Sequence, residues 1–393
     1  MPPAIEVFLV FLRLGFTSFG GPVAHLGYFR RNFVQNRRWL TESEYASLLA
    51  LCQMLPGPAS SQTGFGIGLL RAGWSGGIAA WAGFTLPSAC LMLALASSAA
   101  TLGAARFGAG LLHGLQLAAI AVVAHAVYGM TRNLCPDTPR RFVAAMAVLL
   151  LFLLPGSAGQ LAVIGLGGMA GRFILAAPPV LAEPPLTPKV STSGAFMALA
   201  LFAVLLAVSL APADGNLALF NAFYRSGALV FGGGHVVLPL LHDAVVRPGW
   251  VSPRLFLAGY GAAQAMPGPL FTFAAYLGAL ASAGSGGFPG AMIALVGIFL
   301  PGLLLTAGLL PFWHGLRQNA GLAAALNGIN AAVIGLLAFA LINLLTHGTI
   351  RNPVDALLAV TALALLAVGK VHPLAVVGTC AAGGLIFSKA VLS

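Results

Sequence analysis

The chain has 393 residues, of which 59% are hydrophobic and only 7% are charged, and its formal net charge is +11. A soluble domain carries about 25% charged residues, so this composition excludes a soluble globular protein and predicts that most of the outer surface faces lipid. The basic excess is typical of loops that orient a membrane protein, and without a nucleic-acid-binding motif it does not indicate a nucleic-acid partner.

The apolar segments are predicted to be α-helices. About a dozen of them approach the length of about 20 residues that a helical span needs. The alternating pattern of an outer-membrane barrel does not occur, and abundant Gly and Ala suit close helix packing in lipid. We therefore predict an all-α, polytopic membrane protein. The first segment carries Glu6 and Arg13 and no small-residue cleavage site follows it, so we expect a retained span rather than a signal peptide.

In chain order, the first helix ends at Phe19-Gly20-Gly21, and an arginine-rich loop follows. Thr41 and Glu44 have the spacing of a capping box, which predicts the start of a new helix. Pro56-Gly57-Pro58 removes two backbone donors and therefore predicts a break between two short helices. Four longer helices complete a first half that covers residues 1–176.

The second half, residues 212–393, repeats the first. Between the halves, residues 177–211 form a proline-rich polar linker followed by an apolar connecting helix. The four matched blocks are Arg13–Gly21 with Arg225–Gly233, Gln53–Pro58 with Gln264–Pro269, Gly83–Pro87 with Gly297–Pro301, and Gly114–Ile120 with Gly328–Ile334. Because the blocks occur in the same order at a nearly constant offset, the chain is predicted to be a duplicated membrane unit.

Positive charges in loops predict the orientation of the chain. Four arginines within residues 30–38 place the first loop in the cytoplasm. If each Pro-Gly-Pro helix pair is re-entrant and returns to its own side, most other cations also fall inside, among them Arg247 and Arg254. We therefore expect re-entrant helix pairs and two parallel halves, with inverted halves as the alternative that transporters commonly adopt.

Ionisable residues within the apolar segments indicate an anion as the transported species. All eight acidic residues lie in loops or close to segment ends, which weakens an interpretation as a cation carrier. Arg13 and Arg225 lie inside hydrophobic segments at equivalent positions, with no acid near in sequence. Burying an unpaired guanidinium costs at least about 2.5–3.5 kcal/mol, and its planar fork suits a tetrahedral oxyanion. We predict both as substrate ligands, unless they reach the membrane interface instead.

The interrupted segments carry the other predicted substrate ligands. Glycine lets the backbone approach a ligand, and helices that begin after a break direct free N–H groups and positive dipole ends toward a cavity. The predicted ligands are Gly20, Gly21, Gly57, Gly232, Gly233, Gly268, Gln53, Gln264, Ser60, Ser61 and Thr272, with Gln62 and Thr63 as further donors. The alternatives are glycines that only pack helices and breaks that are only structural.

Prolines and histidines complete the predicted site. The prolines that interrupt short helices are Pro56, Pro58, Pro267 and Pro269, and those with expected gating or packing roles are Pro87 and Pro301. His25 and His235 follow the two glycine blocks and titrate near neutrality, so we predict them as candidates for proton coupling. A hydrogen bond between helices is the alternative role for both, and also for His125, which lies deep in a span.

With these motifs, the sequence resembles the chromate transporter family in its long, two-domain form, over nearly the whole chain. The motifs that carry the resemblance are Phe19–Pro22 with His25, the arginine-rich loop with Trp39, Leu55–Pro58, Gly73–Gly77, Phe84–Pro87, Phe231–His235 and Met266–Pro269. The resemblance implies efflux of chromate across the bacterial inner (cytoplasmic) membrane, driven by the proton-motive force, with sulfate as a related anion. The second half has Gly234 in place of Pro22 and lacks the four arginines, so we expect the halves to differ in function.

Other functions stay open on the residues alone. Chromate and sulfate are both divalent and tetrahedral, so a sulfate or other oxyanion carrier that also passes chromate is an alternative, as is an anion channel. A membrane enzyme is disfavoured because no intramembrane carboxylate or nucleophile motif occurs. The four cysteines form no close pair, and we expect no metal and no cofactor. The expected partners are the transported anion and the lipid bilayer, and a homo-oligomer is left open.

Overall fold

The computed structural model describes residues 2–104, 106–154, 156–175, 186, 188–231, 234–316, 318–346, 349–350, 352–369, 371 and 373–390. Within these residues the chain consists of helices and connecting loops and contains no β-strand. Five helical stretches among them are long and apolar enough to cross a membrane, judged by length and composition. The predicted all-α membrane protein is confirmed.

The two halves contain the same series of helices. The first half comprises α1 (Pro3–Thr17), α2 (Gly21–Phe29) with a π-helical continuation (Arg30–Asn36), α3 (Glu42–Met54), α4 (Ala59–Ala104), α5 (Arg106–Leu134), α6 (Thr138–Leu153) and α7 (Ser157–Ile174). The connecting helix is α8 (Thr192–Leu210). The second half comprises α9 (Gly215–Leu229), α10 (Val237–Leu241) between a 3-10 turn (Gly234–Val236) and a π-helical turn (His242–Val246), α11 (Pro253–Ala265), α12 (Phe273–Leu280) after a 3-10 turn (Leu270–Thr272), α13 (Gly287–Leu309), α14 (Trp313–Leu316), α15 (Ala320–Thr346), α16 (Pro353–Ala367) and α17 (Pro373–Ala390).

Local capping sets the start of α3 and of its counterpart α11. The Thr41 hydroxyl accepts a hydrogen bond from the Glu44 N–H at 3.2 Å, and the Glu44 carboxylate accepts one from the Thr41 N–H at 2.8 Å. This is the predicted capping box. In the second half, the Ser252 hydroxyl accepts from the Leu255 N–H at 3.4 Å, so α11 is capped at the equivalent place.

The first half contains two helix hairpins that open at the same end of the molecule. Glu6, near the start of α1, pairs with Arg37 at 3.7 Å and with Arg71 at 3.2 Å. Both guanidinium groups lie over the ring of Trp39. These contacts show that α1 and α2 form one hairpin, and that α3 and residues 59–71 of α4 form another. The end of the molecule that carries these four residues is termed the basic face.

Glycines reverse and bend the chain in this half. Gly20 and Gly21 have φ angles of 101° and 76°, which residues with a side chain rarely adopt. They separate α1 from α2, and α2 runs back toward the basic face, where α1 begins. Gly73, with a φ of 62°, bends α4 at the basic face. Residues 74–104 then run away from that face as a helix about 45 Å long, enough to cross the whole molecule.

The second half repeats the two hairpins at the other end of the molecule. The Asn216 side chain, at the start of α9, accepts a hydrogen bond from the Ser285 N–H at 2.8 Å. The Trp250 carbonyl accepts one from the Ser282 N–H at 3.2 Å. The start of α9, the loop before α11 and the loop after α12 therefore lie together. The end of the molecule that carries these four residues is termed the opposite face.

Contacts between the halves show that they are inverted. Because α4 runs to the opposite face, α5 begins there, and its Gln116 donates to the Arg254 carbonyl in the first turn of α11 at 3.1 Å. The counterpart helix α3 begins at the basic face, where Ser47 accepts a hydrogen bond from Trp313 of α14 at 3.1 Å. The expected parallel arrangement of the halves is therefore wrong.

The chain reversal at Gly20-Gly21 explains why the two halves are inverted rather than parallel. The first segment returns to the basic face instead of crossing, so the five helices α4 to α8 carry the chain to the opposite face. Arg247 and Arg254, which a parallel arrangement placed with the other cations, lie there. Among the cations whose side chains the structure describes, those toward the basic face are Arg30, Arg31, Arg37, Arg38, Arg71, Arg132, Arg140, Arg141, Arg172 and Lys189, and those toward the opposite face are Arg247 and Arg254. That each hairpin re-enters a membrane stays a prediction.

Helices of one half also pack closely against helices of the other half at matched glycines. A Cβ at Gly114 of α5 would collide with the Cys380 carbonyl of α17, and a Cβ at Gly328 of α15 would collide with the Gly167 carbonyl of α7. The absence of a side chain lets these backbones approach closely, as is typical of helix pairs in lipid. Each half therefore completes its packing against helices of the other half.

The inverted arrangement predicts opposite accessibility for two aligned loop positions. In a chain carrying Cys90→Ser, the remaining native cysteines are buried, and Asn36→Cys or Pro248→Cys adds one exposed thiol at a time. A membrane-impermeant maleimide is expected to label the two variants from opposite sides of the membrane. The control is the Cys90→Ser parent, which should stay unlabelled. Labelling of both from the same side would contradict the inversion.

Candidate functional site

The interrupted segments of both halves meet midway between the two faces. The set of residues 18–21, 55–58, 230–231 and 266–269 is termed the central crossing. The Gly57 N–H donates to the Val230 carbonyl at 2.7 Å, and the Gly268 N–H donates to the Ser18 carbonyl at 2.9 Å. Because the repeats align Gly57 with Gly268 and Ser18 with Val230, the two bonds are a symmetric pair. Each half thus provides a carbonyl that accepts a hydrogen bond from the interrupted backbone of the other half.

Glycine is required at the middle of both Pro-Gly-Pro segments. Gly57 has a φ of 121° and Gly268 a φ of 87°. A Cβ on Gly57 would lie 3.1 Å from the Cα of Gly302, and a Cβ on Gly268 would lie 2.9 Å from the Oγ of Ser88. Both substitutions would combine a strained backbone with a close contact to a long helix. The segments are therefore built for a close approach between the halves.

The two prolines within long helices have a packing role. Pro87 lies inside α4 and Pro301 inside α13, and neither ends its helix. A Cβ on Gly15 would lie 3.0 Å from the Cγ of Pro87, and a Cβ on Gly227 would lie 3.0 Å from the Cγ of Pro301. α1 and α9 therefore pack closely on equivalent proline rings. A gating role for these prolines stays a prediction.

Four helical segments begin at or beside the central crossing. They start at Gly21, Ala59, Gly234 and Leu270, two of them leading to each face. The N–H groups in the first turn of a helix lack intrahelical partners, and the helix dipole adds partial positive charge there. Since the four starts converge on one level, the central crossing brings together backbone donors of the first helical turns from both halves.

The start of α4 is polar yet buried. Residues 60–63, Ser-Ser-Gln-Thr, are at most 3% exposed. The Gln62 amide donates to the Pro56 carbonyl at 3.0 Å and to the Gly302 carbonyl at 3.2 Å. Gln62 therefore ties the first break to α13 of the other half. The sequence placed Gln62 among the donors, but its link between the halves could not be read from the repeat.

Several buried polar atoms at this level lack a hydrogen-bond partner among the described residues. They are Ser18 Oγ, His25 Nδ1, Ser61 Oγ, Gln62 Oε1 and Gln264 Nε2. Buried polar groups are nearly always paired, so their concentration here indicates a site for a polar ligand or water. Thr272, also predicted as a ligand, instead donates to the Pro269 carbonyl at 2.8 Å.

The two predicted arginine ligands lie about one turn before the central crossing, on α1 and α9. Neither guanidinium forms an ion pair with the described part of the chain. Arg225 is half-buried, whereas Arg13 is exposed on the face of α1 that also carries Leu9 and Phe16. The surroundings of Arg225 are thus the more enclosed, and the role of both as ligands stays a prediction.

The remaining predicted ligands differ between the halves. Gln53 is exposed at the end of α3, while its counterpart Gln264 is half-buried. Gly20 and Gly21 form the turn at the central crossing, whereas Gly232 and Gly233 lie outside the described residues. The repeat in sequence therefore does not produce two equal sites.

The two predicted histidines have different partners. His25 Nε2 lies 3.2 Å from the Ser18 carbonyl, which also accepts the Gly268 N–H. His235 Nδ1 lies 2.9 Å from the Tyr260 hydroxyl, and His125 of the other half is close enough to interact with it electrostatically. The pairing of His235 with Tyr260 was missed from sequence, because no local pattern joins two residues on different helices.

Comparison with known proteins identifies the family. The profile described as Chromate transporter matches residues 5–172 and again residues 217–385. The chain belongs to the chromate transporter family. The double match agrees with the two repeated halves, while the predicted domain boundaries stay predictions. No solved structure matches the chain significantly.

Three relatives share most of their length with this member of the chromate transporter family. It is 29% identical to a probable chromate transport protein of Synechococcus elongatus, over 96% of this chain and 94% of the relative. It is 28% identical to a chromate transport protein of Cupriavidus metallidurans, over 97% and 92% of the two chains. It is 29% identical to one of Pseudomonas aeruginosa, over 88% and 82%.

A cavity of about 640 Å³ lies toward the opposite face of this transporter, and its described lining contains no residue of the central crossing. α10 and its π-helical turn, α11, α15, α6 and α7 line it. The Gln160 amide of α7 donates to the Asp243 carboxylate at 2.9 Å within the lining. The sequence placed Asp243 only at a segment end. Alignment of the halves offered a signal, because Asp243 stands where the first half has Arg31.

Proposed function

We propose that this protein is a secondary transporter that exports chromate across the bacterial inner membrane and depends on the proton-motive force. The observation that supports the proposal is the central crossing. It joins four helix starts and a group of unpartnered buried polar atoms midway between two faces. A divalent tetrahedral oxyanion matches this concentration of donors. The chain lies in a family whose relatives are named for chromate transport.

Alternating access follows from the inverted halves. A site between two inverted units can open to one face and then to the other when the units exchange conformations. The reciprocal bonds of Gly57 and Gly268 couple the two units at the site. A change in one half therefore acts on the backbone of the other. In this proposal, Arg13 and Arg225 bind substrate oxygens, and His25 and His235 carry the coupled proton.

The distribution of cations sets the orientation in this proposal. Cytoplasmic loops carry an excess of Lys and Arg, and the basic face has the larger share of both. We therefore place the basic face in the cytoplasm, with the opposite face outside. Chromate then reaches the central crossing from the basic face and leaves toward the opposite face.

Uptake into inside-out membrane vesicles tests the proposal. Vesicles that contain the protein should accumulate labelled chromate when energised, and an uncoupler should abolish accumulation. Vesicles without the protein are the control. Accumulation that does not exceed the control would overturn the proposal, and uptake that never exceeds equilibration would indicate an anion channel.

Competing oxyanions separate chromate from its analogues. Excess sulfate should reduce chromate uptake because the two anions share charge and shape. If labelled sulfate accumulates while labelled chromate does not, the protein is a sulfate carrier. A monovalent oxyanion should compete poorly, since the site is proposed to match two negative charges.

A further inference from the structure

The cavity at the opposite face brings a carboxylate close to the path of α10. Asp243, half-buried, lies in its lining with His242 and Arg247. These are the titratable or charged groups in the described lining. The other contributing helices supply uncharged side chains, such as Gln160 of α7 and Asn343 of α15. A carboxylate held by a neutral amide in a largely apolar cavity is suited to bind and release a proton.

One helical stretch connects this cavity with the central crossing. It runs from Gly234, beside the crossing, through α10 to Val246. Leu238 lines the cavity, and His235 lies one turn nearer the crossing, paired with Tyr260 at 2.9 Å. Titratable groups thus occur at both ends of the stretch. Asp243 and His242 lie at the cavity, and His235 lies near the crossing, paired with Tyr260 of α11 and within electrostatic range of His125 of α5.

The first half lacks this series. At the aligned positions it carries Val23 in place of His235, Arg30 in place of His242, and Arg31 in place of Asp243. Arg30 pairs with Glu42 at the basic face. The two halves therefore present different chemistry to the two faces. The arginines suit an anion, whereas the carboxylate and imidazoles suit a proton.

We propose that the cavity at the opposite face is the proton-binding vestibule of the transporter and that Asp243 is its proton-binding group. The proton binds to the Asp243 carboxylate from the opposite face. Its binding acts on the central crossing through the α10 stretch, whose other end carries His235 beside Tyr260. The proton and the arginines are thus at opposite faces. This inference rests on the proposed proton-coupled function and specifies where the proton binds.

Two transport modes separate the role of Asp243 from transport itself. In inside-out vesicles without an electrical potential, an acidic lumen should drive chromate accumulation by wild type, about tenfold for each proton exchanged through a gradient of about one pH unit. Exchange of labelled for unlabelled chromate at equal pH needs no net proton movement. Asp243→Asn should abolish the pH-driven accumulation and leave exchange within about twofold of wild type. Asp243→Glu should retain both activities.

A matched acid provides the control. Asp214 is exposed just before α9 at the same face and outside the cavity lining, so Asp214→Asn should retain both transport modes. Retention of pH-driven accumulation by Asp243→Asn would overturn the inference, as would loss of exchange together with accumulation, or a wild type that exchanges chromate without responding to the pH gradient. Absence of exchange by wild type would instead refute the proposed function.

Discussion

Gly268→Ala is expected to abolish chromate transport and to destabilise the protein by about 1–3 kcal/mol. The added Cβ would occupy a backbone with a φ of 87° and lie 2.9 Å from the Ser88 Oγ and 3.2 Å from the Phe84 carbonyl. The Gly268 N–H would then move away from the Ser18 carbonyl, to which it donates at 2.9 Å. Thermal unfolding in detergent and chromate uptake in vesicles measure the two effects.

Two further variants show whether the contact or the backbone conformation is responsible. Gly27→Ala is the control, because a Cβ on this helical glycine meets no atom within 4 Å, and it should behave as wild type. Ser88→Ala in the Gly268→Ala background removes the closest contact and should restore part of the stability but not the strain from the positive φ. A Gly268→Ala protein with normal stability and transport would contradict the close approach at the central crossing.

Arg225→Ala is expected to weaken chromate binding and reduce transport strongly while the protein remains folded in the membrane. Its guanidinium is half-buried about one turn before the central crossing and forms no ion pair with the described residues. Losing a ligand to a divalent oxyanion should cost about 1.5–3 kcal/mol of binding, the range for hydrogen bonds to charged groups. Arg13→Ala should also reduce transport, but less, because Arg13 is exposed. Chromate uptake at several concentrations measures both losses.

Lysine variants test how the substrate is held. Arg225→Lys keeps the charge but loses the planar fork, so it should recover little transport if recognition is bidentate. Arg254→Ala, which removes an exposed cation at the opposite face, is the control and should stay close to wild type. Normal transport by both Arg13→Ala and Arg225→Ala would contradict the assignment of the arginines to the substrate.

Much of the fold follows from features that are local in sequence. The capping box of Thr41 and Glu44 and the missing donors of the Pro-Gly-Pro segments act within one turn, and the structure shows the predicted helix start and breaks there. The repeated blocks predicted the two halves. The direction of the chain after Gly20-Gly21 depends instead on two backbone dihedral angles, which glycine leaves open. The same Gly-Gly sequence is compatible with a helix that ends after crossing the membrane and with a chain that turns back. The prediction of parallel halves failed for this reason.

The site was predictable to a lesser extent. The breaks were located correctly because prolines mark them, but their reciprocal bonds join residues from different halves. Tyr260 beside His235 and Gln160 beside Asp243 are likewise products of the inverted packing. Composition and spacing report what each segment is, whereas these pairs depend on where the segments cross. A comparison of aligned positions, such as Arg31 with Asp243, comes closest to detecting them.

The central crossing also has a consequence for the voltage dependence of binding. α1 and α9 have the same length and reach the crossing from opposite faces, so a bound ion has traversed about half of the membrane field. For a dianion this amounts to about 2.3 kcal/mol for each 100 mV, or about 50-fold in the binding constant. With the basic face in the cytoplasm, a more negative interior tightens binding from that face. The membrane potential thus contributes to the binding free energy of the substrate. The size of this contribution depends on the depth at which the helices break.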